Sequence, residues 1–316
     1  MITWNVPIWV YLWMAGMAGG AYFAAFLAER FTGGTNEKLL RLATYIGIPL
    51  VAIGVILLII DLGMPLHFWH LLVGFEPLSP MSLGTWILTI WACVAVAMIV
   101  LWFVENSFSA RMTRILKMGR NLLSMVALVF SVLIMAYTGV LLASSNQPLW
   151  SGTFLLPSLF VVSATSTGVA IVVAASLIAN MLNRGGPAWM KSITNKLFGS
   201  SDWTISNRMI GHLAEADVIL IFIEIAVLIG YSVWLSVSAM EGTSEALSLL
   251  TTGSLALPFW LGVALLALLL PLGLEIAVHG KEIKTRAVWL TIMASSACVI
   301  LGGLVLRAVI VIGGQM

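Results

Sequence analysis

The chain has 316 residues, of which 61% are hydrophobic and only 9% are Asp, Glu, Lys or Arg, and its mean hydropathy is +1.08. A water-soluble globular domain of this length is far less apolar, so that class is excluded. The formal net charge of +2 and the two cysteines, Cys93 and Cys298, exclude a strongly charged binder, a disulfide framework and a cysteine-bound cluster.

Apolar segments of about twenty residues or more, enough to cross roughly 30 Å of hydrocarbon at 1.5 Å per residue, cover about 6–28, 40–61, 84–104, 122–143, 153–182, 213–238, 255–277 and 287–311. Lipid offers no partner to an open backbone, so each is predicted to be a helix. The fold class is an all-α integral membrane protein with eight transmembrane helices.

The first span follows "MITWNVPIWV", which lacks the basic region of a cleavable signal, and is expected to be retained. Its "AGMAGG" reads first as a packing face, because small residues let helices approach closely in lipid. A flat substrate beside the glycines is the alternative. Span two ends at Asp61 and passes into "DLGMPLHFWH". The connection 62–83 is too aromatic for a solvated linker; Phe68, Trp69 and Phe75, with Trp86, read as an interfacial belt or as a platform for a partner. Span four carries Tyr137 in "MAYTGVLL", roughly 9 Å below its outer end. The polar turn "ASSNQPLWSGTF" then divides the chain into two four-helix bundles, 1–146 and 147–316. Spans one and five both follow a proline, Pro7 and Pro157, and both carry small residues ("AGMAGGA", "SATSTG"). The connection 183–212, with Trp189 and Trp203 among Lys and Arg, is expected to lie along the cytoplasmic headgroups.

Every Lys and Arg except Arg307 belongs to the connections after spans one, three, five and seven, and those after spans two, four and six carry none. By the positive-inside rule both termini therefore lie on the non-cytoplasmic side.

Ionisable residues within spans are costly and point to function by default. Here they are Asp61, Glu215, Asp217, Glu224, Glu275 and Arg307. Asp61, Tyr137, Asn5, His67 and His70 can converge at the outer end of the first bundle. Glu224 lies about 20 Å from the outer end of its span and Arg307 about 6 Å, so roughly 15 Å of depth is expected to keep them apart. Glu224, Glu215, Asp217 and Glu275 read either as a proton relay from the inside or as residues that bridge helices, with Arg307 snorkelling outward or meeting Tyr231 or a carboxylate at its own level. A haem held between spans needs histidines in facing helices. His67 and His70 are in a connection and His212 and His279 at helix ends, so no haem is expected in the membrane. No phosphate loop, zinc spacing or hydrolase elbow is present.

The stretches "YLWMAGMAGGAYFAAFLAE", "DLGMPLHFWH", "SPMSLGTWIL" and "YTGVLLASSNQPLWSGTFLLPSLFVVSATSTG" together resemble the membrane subunit of the polysulfide reductase family, the NrfD/PsrC-like quinone-interacting proteins. The resemblance is most specific over residues 6–170. It implies an eight-helix subunit that exchanges electrons and protons between a quinone pool, expected to be menaquinone, and an iron–sulfur partner on the non-cytoplasmic face. That partner connects to a catalytic subunit, often molybdopterin-containing, while the membrane subunit itself carries no haem or cluster. Asp61, Leu62, Gly63 and Pro65 match the motif after span two, and Phe68, Trp69 and His70 continue it; the family often has a basic residue where Met64 and His67 stand. Tyr137 matches a quinone-contacting tyrosine. Quinol oxidation releases two electrons and two protons and needs hydrogen-bond partners at both ring oxygens and a base working near neutrality. Tyr137, His67 and Asn5 are therefore expected to hold the quinone head and Asp61 to orient or accept protons. Trp69, His70, Phe68 and Pro65 would shape the pocket or the partner seat. The rival readings are a secondary transporter with a midplane site around Glu224, suggested by Pro49 and Pro271, and a membrane anchor without a working pocket.

Overall fold

The computed structural model describes residues 5–316 except 32–36, 63–64, 78, 106–109, 146, 151–152, 199–202, 239, 241, 282 and 284, and leaves the side chains of 71, 105, 110–114, 193 and 196 undescribed. Gly63 and Met64 of the motif, and the basic side chains of Arg111, Arg114, Lys196 and Lys284, thus fall outside it.

Among the described residues all regular structure is helical: α1 (Val6–Phe31), α2 (Lys38–Asp61), a 3₁₀ turn Pro65–His67, α3 (His70–Val73), α4 (Pro80–Glu105), α5 (Ala110–Ala143), α6 (Leu155–Gly185), α7 (Ala188–Phe198), α8 (Asn207–Val237), α9 (Thr243–Thr251), a π-helical stretch Pro258–Leu269 running into α10 (Leu270–Val278), and α11 (Arg286–Gly313). Eight of these helices are long and apolar enough to cross a membrane. The expected spans agree with them in number and order. With eight spans the two termini fall at one end, the terminal end; most Lys and Arg gather at the other, the basic end.

α1 and α6 are the inner helices: 67% and 72% of their apolar windows are buried, against 28% for α2, α4 and α8, whose Ile53, Ile56, Val96, Ile219 and Phe222 face outward. α1 packs on α2 and α5, and α4 on α5; α6 packs on α8 and α11, and α10 on α11. α1 and α6 also pack on each other, flanked by α5 on α6 and α11 on α1. The small-residue stripes make that crossing possible. A Cβ at Gly20 would stand 1.9 Å from the Ala164 carbonyl oxygen, and one at Gly168 2.1 Å from the Gly20 carbonyl carbon. "AGMAGG" is thus a packing face, as expected, and brings main chain against main chain, where dispersion and weak polar contacts take over from the hydrophobic effect.

Polar side chains finish the helix ends. Glu29 Oε1 accepts from the Leu39 and Leu40 amides (2.7 and 3.1 Å), capping α2 from the end of α1, where the first turn otherwise leaves amides without partners. Glu37, at φ 46°, pairs with Arg120 at 2.6 Å and accepts from Trp102 Nε1 at 3.1 Å. Trp150 Nε1 donates to the Ile310 carbonyl at 2.7 Å, and Tyr231 donates to the Leu149 carbonyl rather than meeting Arg307.

Two features of the connections are not read from the sequence. Trp203 is fully buried and stacks on Phe198 with ring centroids 3.8 Å apart, while Trp189 stays exposed. The segment around α7 is also tied to the first half: the Tyr45 hydroxyl donates to the Leu197 carbonyl at 2.9 Å and Arg41 to the Phe198 carbonyl at 3.4 Å. Tryptophan among basic residues looks interfacial in sequence, and only the tertiary partner decides. The second is α9, which no apolar run announces.

Candidate functional site

Four spans of the first half meet around Tyr11 and Tyr137. On α5 it lies six residues from the helix end at Ala143 and is 7% exposed. Its hydroxyl pairs with that of Tyr11 on α1, itself 2% exposed. Gly84 on α4 supplies the floor: a Cβ there would stand 1.8 Å from Tyr137 Cζ and 2.2 Å from its oxygen. Gly54 on α2 does the same for Tyr11, whose Cδ2 would be 3.1 Å from an added Cβ. The Tyr137 ring thus passes through a slot that only glycine leaves open, and the Tyr11 ring lies tight against Gly54, with the two hydroxyls facing each other beneath the terminal end. Such a pair can donate and accept hydrogen bonds with little conformational entropy to lose.

The remaining expected residues lie at a shallower level. Asp61 is half-buried at the last position of α2. Pro65, Phe68, Trp69, His67 and His70 are all exposed. The His67 and His70 rings are parallel with centroids 5.4 Å apart, and Trp69 stacks on His70 at 3.7 Å. His70 Nδ1 lies 3.2 Å from the His67 carbonyl. Asn5 is exposed at the foot of α1, where its carbonyl accepts from the Ile8 amide at 3.0 Å. The expected cluster is therefore spread over two levels: a buried tyrosine pair and, nearer the surface, an exposed imidazole–indole stack with Asp61 and Asn5. Tyr11 and Gly84 are not among the residues that sequence alone singles out. Matching depths would have found the tyrosine, since Tyr11 is five residues from the terminal end of α1 and Tyr137 six from that of α5.

The ionisable residues of the second half are assembled differently. Arg307 is fully buried. Its Nη1 donates to Ser163 Oγ at 3.2 Å and to the Gly303 carbonyl at 2.8 Å, and its guanidinium lies 5.4 Å from the Phe160 ring centre. Ser163 also pairs with the Glu224 carboxyl. Glu224 and Arg307 therefore share one hydroxyl instead of standing a long way apart. The depth estimate fails because distances counted from each helix's own end do not share an origin: α8 has 31 residues and α11 has 28. Asp217 and Glu275 are both buried and each accepts from a serine, Ser166 at 2.7 Å and Ser295 at 2.8 Å, whereas Glu215 is exposed. Two cavities stand out, of about 370 Å³ beside Glu215 and Glu275 and about 350 Å³ beside Glu29 and Glu37. Both lie at the basic end, and neither touches Tyr137. Among the described residues no group of three or more His, Cys, Asp or Glu is arranged to hold a metal ion.

Comparison with known proteins gives one family over the whole length. The family described as "Polysulphide reductase, NrfD" matches residues 1–316. A polysulfide reductase component from Wolinella succinogenes is 30% identical over 327 residues, a match that spans 99% of this protein and 95% of the relative. Protein NrfD of Escherichia coli is 27% identical over 330 residues, spanning 100% and 96%. A shorter match, 28% over 110 residues, links 34% of this protein to 25% of a selenate reductase component from Mesobacillus selenatarsenatis.

Proposed function

Because the chain belongs to the polysulphide reductase NrfD family, a family of membrane subunits of respiratory reductases, we propose that it is the quinone-reactive subunit of such a complex. It exchanges electrons and protons between the quinone pool, of menaquinone type, and an iron–sulfur partner at the terminal end. The partner passes the electrons to or from a catalytic subunit. The terminal end is the non-cytoplasmic face of the prokaryotic inner membrane, a reading supported by the gathering of Lys and Arg at the opposite end. The repeated helix pairings support a division into four-helix units at 146/147, with the quinone site in the first.

The observation that carries the reading is the Tyr11–Tyr137 pair. A quinone head needs a donor at each carbonyl oxygen, and a quinol needs acceptors for two protons. The tyrosine pair offers both, at a depth where the isoprenoid tail stays in hydrocarbon. The half-buried Asp61 and exposed His67 lie on the way to water and suit proton release, with Asn5 at the same end. The aromatic shelf of Phe68, Trp69 and His70 after Pro65 is solvent-accessible, and flat exposed aromatic side chains are what a partner subunit anchors on.

Replacing Tyr137 by Phe keeps the ring in its Gly84 slot and removes only the hydroxyl. In the assembled complex, quinol-driven reduction should fall while electron transfer from an artificial donor directly to the iron–sulfur partner is retained. Full quinol activity in both Tyr137→Phe and Asp61→Asn rejects the site.

A further inference from the structure

The larger of the two cavities, about 370 Å³, opens at the basic end between the start of α8, the end of α10 and α11. That volume falls within the roughly 300–1,000 Å³ of small-molecule sites. Arg208 and His212 line it from α8, where a spacing of four places both on one helix face. His279 and Lys281 line it from the chain just after α10, and all four are exposed. Lys281 Nζ donates to the Ala277 carbonyl at 2.6 Å, which holds the ammonium over the end of α10 and leaves its other protons for another acceptor. Among the described residues neither Arg208 nor Lys281 forms a salt bridge. Ser206, the N-cap of α8, makes no side-chain cap, so the amides of that first turn add partial positive charge at the same mouth. The carboxylates on the cavity are Glu215, exposed on α8, and Glu275, which is buried and accepts from Ser295 Oγ at 2.8 Å.

The mouth therefore sets two permanent cations, two imidazoles and a helix start against one exposed carboxylate, and an anion is what it lacks. The wall is apolar: Val218, Val278 and Ile292 line it half-buried. Beside it Ile219 and Phe222 of α8 and Ile276 of α10 are exposed, and in a spanning chain such side chains face hydrocarbon. A free phosphate would match the cations but leave the apolar wall against water. A zwitterionic headgroup brings its own ammonium to a mouth already rich in positive charge. A phospholipid of net negative charge meets both demands, with its phosphate among the cations and its chains along the apolar flank. Each Lys or Arg that engages such a headgroup is worth roughly fivefold in affinity.

We propose that this cavity is the site of one anionic phospholipid, its phosphate held by Arg208, His212, His279 and Lys281 and its acyl chains lying on the outer faces of α8 and α10. The lipid joins the start of α8 to the end of α10 across a gap that the side chains leave open. The site is at the end of the molecule away from Tyr137 and stands independently of the quinone reading.

Native mass spectrometry tests the site in the protein purified with the subunits it retains, stripped of lipid in detergent and titrated with phosphatidylglycerol. One phosphatidylglycerol per chain should bind in preference to phosphatidylcholine, and Arg208→Gln/Lys281→Gln should weaken it roughly 25-fold. Arg208→Lys/Lys281→Arg keeps both charges and should keep the lipid, which separates lost binding from lost folding. Arg184→Gln/Lys191→Gln removes two cations from α6 and α7 at the same end and should leave the affinity unchanged. Inorganic phosphate at equal concentration should not displace the lipid; if it does, the mouth is a free-anion site and the proposal falls. Equal affinity for the two lipids overturns it, and so does equal weakening in the Arg184/Lys191 variant, which would reduce the effect to general surface charge. Quinol turnover is not part of the readout, so failure here is distinct from failure of the quinone site.

Discussion

Gly84→Ala is the most economical perturbation of the tyrosine pair, because it touches neither tyrosine. The added methyl would lie 1.8 Å from Tyr137 Cζ, about 1.6 Å short of ordinary van der Waals contact at roughly 3.4 Å, so the ring must swing out or α4 must move. Overpacking of this kind costs about 1–3 kcal/mol, partly offset by the roughly 1 kcal/mol by which alanine outperforms glycine inside a helix. Net destabilisation is thus modest, about 0–2 kcal/mol, and the subunit should still assemble. Function should suffer more. On the proposed reading, a displaced hydroxyl loses a hydrogen bond to the quinone head worth about 1–3 kcal/mol when its partner is left unsatisfied, or roughly 5- to 150-fold in quinol affinity. The assay is quinol-dependent turnover beside thermal unfolding, with Tyr137→Leu and the double variant completing a cycle. In the double variant the smaller side chain removes the clash, so stability should exceed the additive value by at least about 0.5 kcal/mol, while turnover stays low. Wild-type turnover in Gly84→Ala, or strictly additive stabilities, would refute the slot geometry.

Three further outcomes follow from the packing. Gly20→Ala should prevent accumulation of folded protein, because its methyl meets the Ala164 carbonyl at 1.9 Å, whereas Gly230→Ala, with nothing within 4 Å, should be neutral or stabilising by up to about 1 kcal/mol; membrane yield and melting temperature compare the two. Arg307→Met should cost about 3–5 kcal/mol by leaving Glu224 buried without a compensating cation, and adding Glu224→Gln should recover part of the loss in the same unfolding measurement. Trp150→Phe removes the hydrogen bond to the Ile310 carbonyl and leaves part of the buried indole's volume unfilled, so it should lower stability by about 2–4 kcal/mol with quinol turnover per folded complex unchanged.

The vertical dimension of this fold is legible in its sequence, and the lateral one is not. Uninterrupted apolar runs place eight helices, and clustered Lys and Arg separate the two ends. The glycine stripe around Gly20 even betrays a close crossing. Which helices stand side by side leaves no comparable trace. Tyr11 gives no signal of its own because its partner lies 126 positions away (137 − 11), and Gly84 gives none because its meaning resides in a ring on another helix. Glu224 and Arg307 seem distant when each is measured from its own helix end, yet both reach Ser163 on a third helix. Trp203 sits in a basic segment, where residue type alone suggests lipid, yet it is buried beneath Phe198. The motif 61–70 stands out by its unusual residues and does lie at the terminal end, but most of its side chains face outward and the deepest hydroxyls come from elsewhere.

The seam at Gly20 and Gly168 bears on how the molecule works over a cycle. Machines that carry a solute across a bilayer commonly tilt one half against the other, which requires a layer of pliable side chains between them. Here peptide planes abut, and any tilt would either prise them apart or drive them through one another. Such a keel favours a static body, in which, on the proposed reading, electrons and protons move while the helices stay put and a lipid-borne reactant arrives sideways from the bilayer.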